Sequence, residues 1–80
     1  MTERMNSLSH HRDHLALVED IIASKEVAIA RQQQNIRQLL LEGRNVVAET
    51  NAMRVNAAAL RRLQSERLAT LNLINKYTSQ

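Results

Sequence analysis

The best candidates for metal chemistry in this sequence are two histidines near its start. His10 and His14 are four residues apart, so on a helix their imidazoles would lie one turn apart on the same face. Imidazole nitrogens bind transition metals, with Asp13 close by as a third candidate. Two histidines are fewer than the three or four ligands of a zinc site, although a symmetric dimer would add a second pair. The pattern favours a polar, solvated helix start over a metal site, and it predicts no cofactor.

Arginines in the second half of the chain are the candidates for binding nucleic acid. The net charge is +3, and all of the excess lies in residues 45–80, because the first 44 residues balance. Exposed basic side chains on a helix can neutralise phosphates. No aromatic residue lies among these arginines to stack on bases, so nucleic-acid binding remains the alternative function. The residues of this face are Arg54, Arg61, Arg62 and Arg67.

Catalytic machinery is not indicated anywhere in the sequence. There is no Cys, which excludes a thiolate nucleophile, and none of the serines lies in a nucleophile-elbow motif. A single glycine cannot form a glycine-rich phosphate loop. We therefore expect a protein that is not an enzyme.

Apolar residues in the first half repeat every seven positions, which is typical of one continuous, coiled-coil-like helix over residues 8–42. Val18 and Leu39 share the stripe three positions further along each repeat, but His11, Lys25 and Gln32 at the equivalent positions are polar. Gln32 either fixes the register of helix pairing or is a weak layer; the sequence leaves both open. The repeating residues are Leu8, Leu15, Ile22, Ile29 and Ile36.

A turn is predicted at residues 43–45. Gly43, the only glycine, follows the apolar stripe and is a helix C-cap signal, because glycine enters the left-handed region without steric cost. Asn45 is expected to be the N-cap of a second helix over 46–77. A turn this short predicts antiparallel helices. Residues 1–7 and 78–80 are expected to be frayed.

Apolar residues of the second helix begin with the same spacing of seven, which then fails. Val46, Met53 and Leu60 are seven apart, but the next position is Arg67. An eleven-residue step from Leu60 to Leu71 would put Leu68 and Ile74 on the same side. This predicts a stutter in the coiled-coil pattern.

Aliphatic residues outside the stripes, such as Leu17, Ile21 and Leu73, cannot all be covered by one seam. The sequence therefore predicts an all-α, two-helix antiparallel hairpin that dimerises into a four-helix bundle. The predicted oligomer interface comprises Leu15, Val18, Ile22, Ile29, Ile36, Leu39, Val46, Met53, Leu60, Leu68, Leu71 and Ile74.

The predicted function is that of a small scaffold or adaptor, which self-associates and binds a protein partner that the sequence does not identify. A subunit of a larger helical assembly, such as a secretion filament or its chaperone, is a third class.

No apolar run approaches the roughly 18 residues of a membrane span, and residues 1–7 do not resemble a signal peptide. We expect a cytoplasmic protein that does not bind membranes.

The stretch Ile29-Ala30-Arg31-Gln32, followed by Ile36, Leu39 and Gly43, resembles a group of small alphaproteobacterial helical-hairpin proteins. Their pattern is I-A-R-Q-x3-I-x2-L-x3-G followed by a second amphipathic helix, to which Leu60-Arg61 is similar. The chain departs from the pattern at residues 45–47, where Asn-Val-Val stands in place of a polar Asp/Thr turn. The group has no assigned activity, so the resemblance implies the hairpin and no function.

Overall fold

The protein folds as two long antiparallel helices joined by a short turn. A computed structural model describes the backbone of residues 2–79 and the side chains of residues 7–79. Helix α1 is Thr2–Leu41 and helix α2 is Val47–Thr78. No strand occurs within residues 2–79, and the Cα atoms fill a rod of 63 × 16 × 14 Å. The predicted all-α hairpin is confirmed.

At the open end of the hairpin α1 extends six residues and α2 one residue beyond the predicted bounds, whereas at the turn each helix is one residue shorter than predicted. Helix α1 begins at Thr2, whereas the sequence predicted a frayed segment over 1–7. Residues 2–7 contain neither Pro nor Gly, so nothing in them opposes continuation of the helix. Helix α2 ends at Thr78, and the backbone N–H of Ser79 still donates to the carbonyl of Asn75 at 2.9 Å. The predicted fraying of Met1 and Gln80 lies outside the described residues.

Gly43 ends α1 in the left-handed conformation, with φ of +71°. The N–H of Arg44 donates to the carbonyl of Leu39 at 2.9 Å, and the N–H of Gly43 donates to that of Leu40 at 3.0 Å. This pair of bonds is the Schellman motif, which satisfies carbonyls that have no partner at the end of a helix. The chain therefore reverses at the residue where the sequence predicts a C-cap.

Asn45 supports the start of α2 from one residue further out than predicted. Its Oδ1 accepts a hydrogen bond from the backbone N–H of Val47 at 2.9 Å. The N-cap position itself is held by Val46, whose carbonyl accepts the N–H of Thr50 at 2.9 Å. The N-cap is therefore Val46 and not Asn45 as predicted, although the side chain of Asn45 does satisfy a free N–H of the first turn.

The seam of α1 is the stripe that the sequence predicts. Val18 is 2% exposed and Ile22 is 9% exposed, and they form the centre of the hydrophobic core. The remaining stripe residues are at least half-buried, including the polar His11, Lys25 and Gln32. One face of α1 therefore packs on α2 along its length.

The seam of α2 keeps the spacing of seven throughout, so the predicted stutter does not occur. Thr70 is 4% exposed, whereas Leu68, which the stutter placed inside, is 60% exposed. Thr70 is small, and its hydroxyl donates to the carbonyl of Glu66 at 2.9 Å, so it can be buried with its polar group satisfied. Arg67 occupies a seam position but extends outward to Glu19, with 3.2 Å between Nε and Oε2.

Two cross-helix contacts define the register of the hairpin. Asn56 Nδ2 donates to Gln32 Oε1 at 3.1 Å, and the rings of His11 and Tyr77 lie 5.6 Å apart, centroid to centroid. In this register Val18 is level with Thr70. Both contacts involve polar or aromatic residues in the seam, so these residues mark specific levels of an otherwise aliphatic interface.

Candidate interaction surface

The predicted oligomer-interface residues are mostly used within the single chain. Eleven of the twelve are buried or half-buried in the hairpin, and Leu68 is the exposed exception. They hold α1 against α2, so a surface for a second chain has to be built by other residues. The large aliphatic side chains that remain exposed lie on the two sides of the seam, on the outer surfaces and at the turn.

One side of the seam, which we call the His14 flank, carries His14 and Glu66 and the residues spaced by seven from them. His14 Nε2 lies 2.8 Å from Glu66 Oε1. Ile21 and Ala28 follow His14 along α1, and Leu73, Ala59 and Ala52 share the Glu66 position on α2. Leu17, which is 57% exposed, borders this flank one turn before Ile21. Beyond Ala28 the same positions of α1 are polar, because Asn35 and Glu42 follow at intervals of seven. An open groove of about 360 Å³ lies there, lined by Arg31, Gln34, Asn35 and Gln38. The flank is thus aliphatic on α1 only between Leu17 and Ala28.

The opposite side, which we call the Arg67 flank, carries the Arg67–Glu19 ion pair. An open groove of about 320 Å³ runs along it, lined by Glu19, Ile22, Ala23, Glu26, Gln64 and Arg67. Exposed Leu40, Val47 and Leu68 also lie on this side, interspersed with charged residues. Because its lining mixes both signs of charge in a shallow groove, it is less suited than the His14 flank to close helix packing.

The candidate metal pair is only partly available for binding. His14 faces the Glu66 carboxylate, whereas His10 is exposed. Within residues 7–79, no three His, Asp or Glu side chains approach one another as a metal site would require. His11, between them in sequence, stacks at a tilt of 31° on Tyr77. The ring of His10 lies 6.3 Å from that of His11, centroid to centroid, so His10 adjoins the His11–Tyr77 contact and His14 is paired separately with Glu66.

The four arginines of the proposed nucleic-acid face do not share one surface. Arg54 and Arg61 are seven residues apart and lie together on the Arg67 flank. Arg62 follows at about 100° round the helix, toward the His14 flank. Arg67 donates to Glu19 across the seam. All four are exposed, but only two converge, which makes a short basic site rather than a track for a phosphate backbone.

Over the described part of the chain, neither helix has a stretch long and apolar enough to cross a bilayer. Comparisons with protein-family models, curated proteins and solved structures found no match to this chain.

Proposed function

We propose that this protein is a non-enzymatic helical scaffold of the cytoplasm, which acts by self-association and by binding other proteins through its helix surfaces. The observation that carries the proposal is the accessible area of the chain. The hairpin exposes 6154 Å², whereas a compact folded monomer of 9.1 kDa would expose about 4,900 Å². The difference of about 1,250 Å² reflects the rod shape and a core in which only Val18 and Ile22, among the apolar side chains of residues 7–79, are buried.

Association is the physical route by which such a rod gains stability. Stable protein interfaces remove about 800 Å² from each partner, which is within the surplus that each chain exposes. Leu17, Ile21 and Leu73 are 57%, 37% and 42% exposed, and fully burying a side chain of this type contributes roughly 1.5–3 kcal/mol. A second chain over these residues would supply the apolar cover that a single hairpin lacks.

Sedimentation velocity or light scattering over a range of concentrations tests the proposal. We expect a mass of twice 9.1 kDa at micromolar concentration. Growth beyond a dimer would instead favour the larger helical assembly. A monomeric, fully folded chain at these concentrations would contradict the proposal.

Arg61→Glu separates this function from nucleic-acid binding. Arg61 is exposed on the Arg67 flank, and the proposal gives it no role in the association. We expect the variant to keep the mass of the wild type. Salt-sensitive binding of RNA or DNA by the wild type, lost in the variant, would support the nucleic-acid alternative instead.

A further inference from the structure

We infer that the His14 flank is the surface on which a second copy of this chain packs, with the turns of the two hairpins at opposite ends of the bundle. This inference rests on the proposed self-association and specifies its face and direction. It comes from the distribution of large and small side chains along the flank and from the placement of its charges.

Large and small residues occupy different halves of the His14 flank. Leu17, Ile21 and Leu73 lie in the half nearer the open end, and we call them the open-end patch. Ala28, Ala52 and Ala59 lie in the half nearer the turn, and we call them the alanine tract. Ala28 and Ala59 are half-buried, whereas every residue of the patch is exposed. The flank therefore protrudes at the open end and is recessed along the alanine tract, beyond which Arg31 and Asn35 are exposed on α1.

Two such flanks fit only when one is reversed. With the turns at opposite ends, a two-fold axis near Ser24 places Ile21 level with the partner's Ala28. The same axis brings Leu73 to within about 3 Å, along the bundle, of the level of the partner's Ala52. At these two levels large side chains pack on small ones, which favours close packing. Leu17 lies close to the level of the partner's Arg31, whose aliphatic stem can cover it while the guanidinium group reaches water. With the turns at the same end, large residues would oppose large ones and alanines would face alanines, leaving gaps.

Charges on the flank agree with the reversed arrangement. Arg62 borders the flank at the middle of α2. The same two-fold axis brings Arg62 level with the partner's Glu66, so each dimer gains two pairs of opposite sign. By contrast, dimerisation about that axis through the Arg67 flank would bring Arg12 level with the partner's Arg37. Opposed like charges are unfavourable at an interface.

Cysteine cross-linking tests the face and the direction together, because the chain has no native Cys. Ser24→Cys would lie beside its own copy at the two-fold axis, and we expect a short bis-maleimide to link the dimer at this site. Ser65→Cys is the matched control: Ser65 is exposed on the outer surface of α2, and no link is expected. Linkage at Ala23→Cys, on the Arg67 flank, without linkage at Ser24→Cys would overturn the inference.

Charge substitutions give an independent readout. Ile21→Asp buries a carboxylate at the inferred interface, and we expect the dissociation constant of the dimer to rise about 100-fold or more. Leu68→Asp adds the same charge at a residue 60% exposed on the Arg67 flank, and no more than a small change is expected. Circular dichroism would establish whether each variant remains helical.

The outcomes separate this inference from the proposed function. A wild-type monomer would contradict both. A wild-type dimer that resists Ile21→Asp, dissociates with Leu68→Asp, or does not link at Ser24→Cys would leave self-association standing. Any of these results would refute the His14 flank or the reversed direction.

Discussion

The side-chain amide of Asn56 donates to the side-chain carbonyl of Gln32 across the hairpin, with 3.1 Å between Nδ2 and Oε1. Asn56 also accepts, because Lys25 Nζ lies 3.3 Å from its Oδ1. Three polar residues of the seam, two from α1 and one from α2, therefore form one network, and all are half-buried. Each side chain gains a specific partner from this alignment of α1 and α2, and a slip of one turn would separate them.

Replacing Gln32 and Asn56 together by Leu should stabilise the hairpin but weaken its register. Two apolar side chains in this layer avoid the cost of desolvating the amides, and replacing both partners of a buried hydrogen bond by apolar groups of similar shape is nearly neutral or stabilising. Lys25 can extend its ammonium group to water. We expect a higher urea midpoint and more than one set of amide resonances in an NMR spectrum.

The matched control for that pair is Gln33→Leu with Asn51→Leu, at two exposed positions. This control variant should leave the urea midpoint nearly unchanged and should give a single set of amide resonances. A single set of resonances from the seam variant would mean that the network does not select the register. Gln32 would then be only a weak layer of the interface.

The core of the seam should depend strongly on Val18. It is 2% exposed, so Val18→Ala removes two buried carbons and leaves a cavity, at a cost of about 2 kcal/mol in the free energy of unfolding. Val27→Ala is the same change on the same helix at a residue 51% exposed, and should cost under about 0.5 kcal/mol. Urea denaturation at one fixed protein concentration measures both. Equal losses would show that Val18 is not in the core.

The fold could be predicted from the sequence because the apolar residues of α1 have a regular heptad spacing. Leu15, Ile22 and Ile29 repeat every seven residues, and a helix of 3.6 residues per turn turns that repeat into one face. Gly43 marks the reversal, because a left-handed residue is required there. These features depend only on local geometry, which a sequence records directly.

The seam of α2 was harder to predict, because several of its positions are polar, including Arg67 and Thr70. Arg67 occupies the seam by reaching out to Glu19, and Thr70 is buried by bonding its own helix. Whether Arg67 and Thr70 fit the seam depends on the residues of the opposite helix. A prediction from hydrophobicity alone therefore placed Leu68 in the seam instead. The candidate interaction surface also depends on how the two helices pack. The sequence identified Leu17, Ile21 and Leu73 as surplus to one seam, but only the register of the helices shows that the three share a flank.

Substituting Gly43 should destabilise the turn through backbone strain alone. Its φ is +71°, and a Cβ added there would meet no atom within 4 Å. Gly43→Ala should therefore cost about 1 kcal/mol, the preference of an L-residue against the left-handed region, without any steric clash. Gly43→Asn should cost less, because Asn tolerates that region better. Thermal or urea unfolding of the three proteins gives the order, and an unchanged Ala variant would contradict the conformation of this residue.

Thr70→Val should raise the stability of the hairpin. The hydroxyl of Thr70 is buried and bonds only the carbonyl of Glu66, a residue on its own helix. Val keeps the branched shape while removing a desolvated polar group, and the carbonyl of Glu66 retains its backbone bond from the helix. We expect a gain of about 0.5–1 kcal/mol in the free energy of unfolding by urea, since a typical hydrogen bond contributes little net free energy once desolvation is counted.

Thr78→Val is the control for this prediction. The hydroxyl of Thr78 makes the same kind of bond, to the carbonyl of Ile74 at 3.0 Å, but Thr78 is exposed. We therefore expect this variant to change the urea midpoint little. A loss of stability in Thr70→Val alone would mean that the hydroxyl has a second partner in the folded protein, such as a water held in the seam beside Val18.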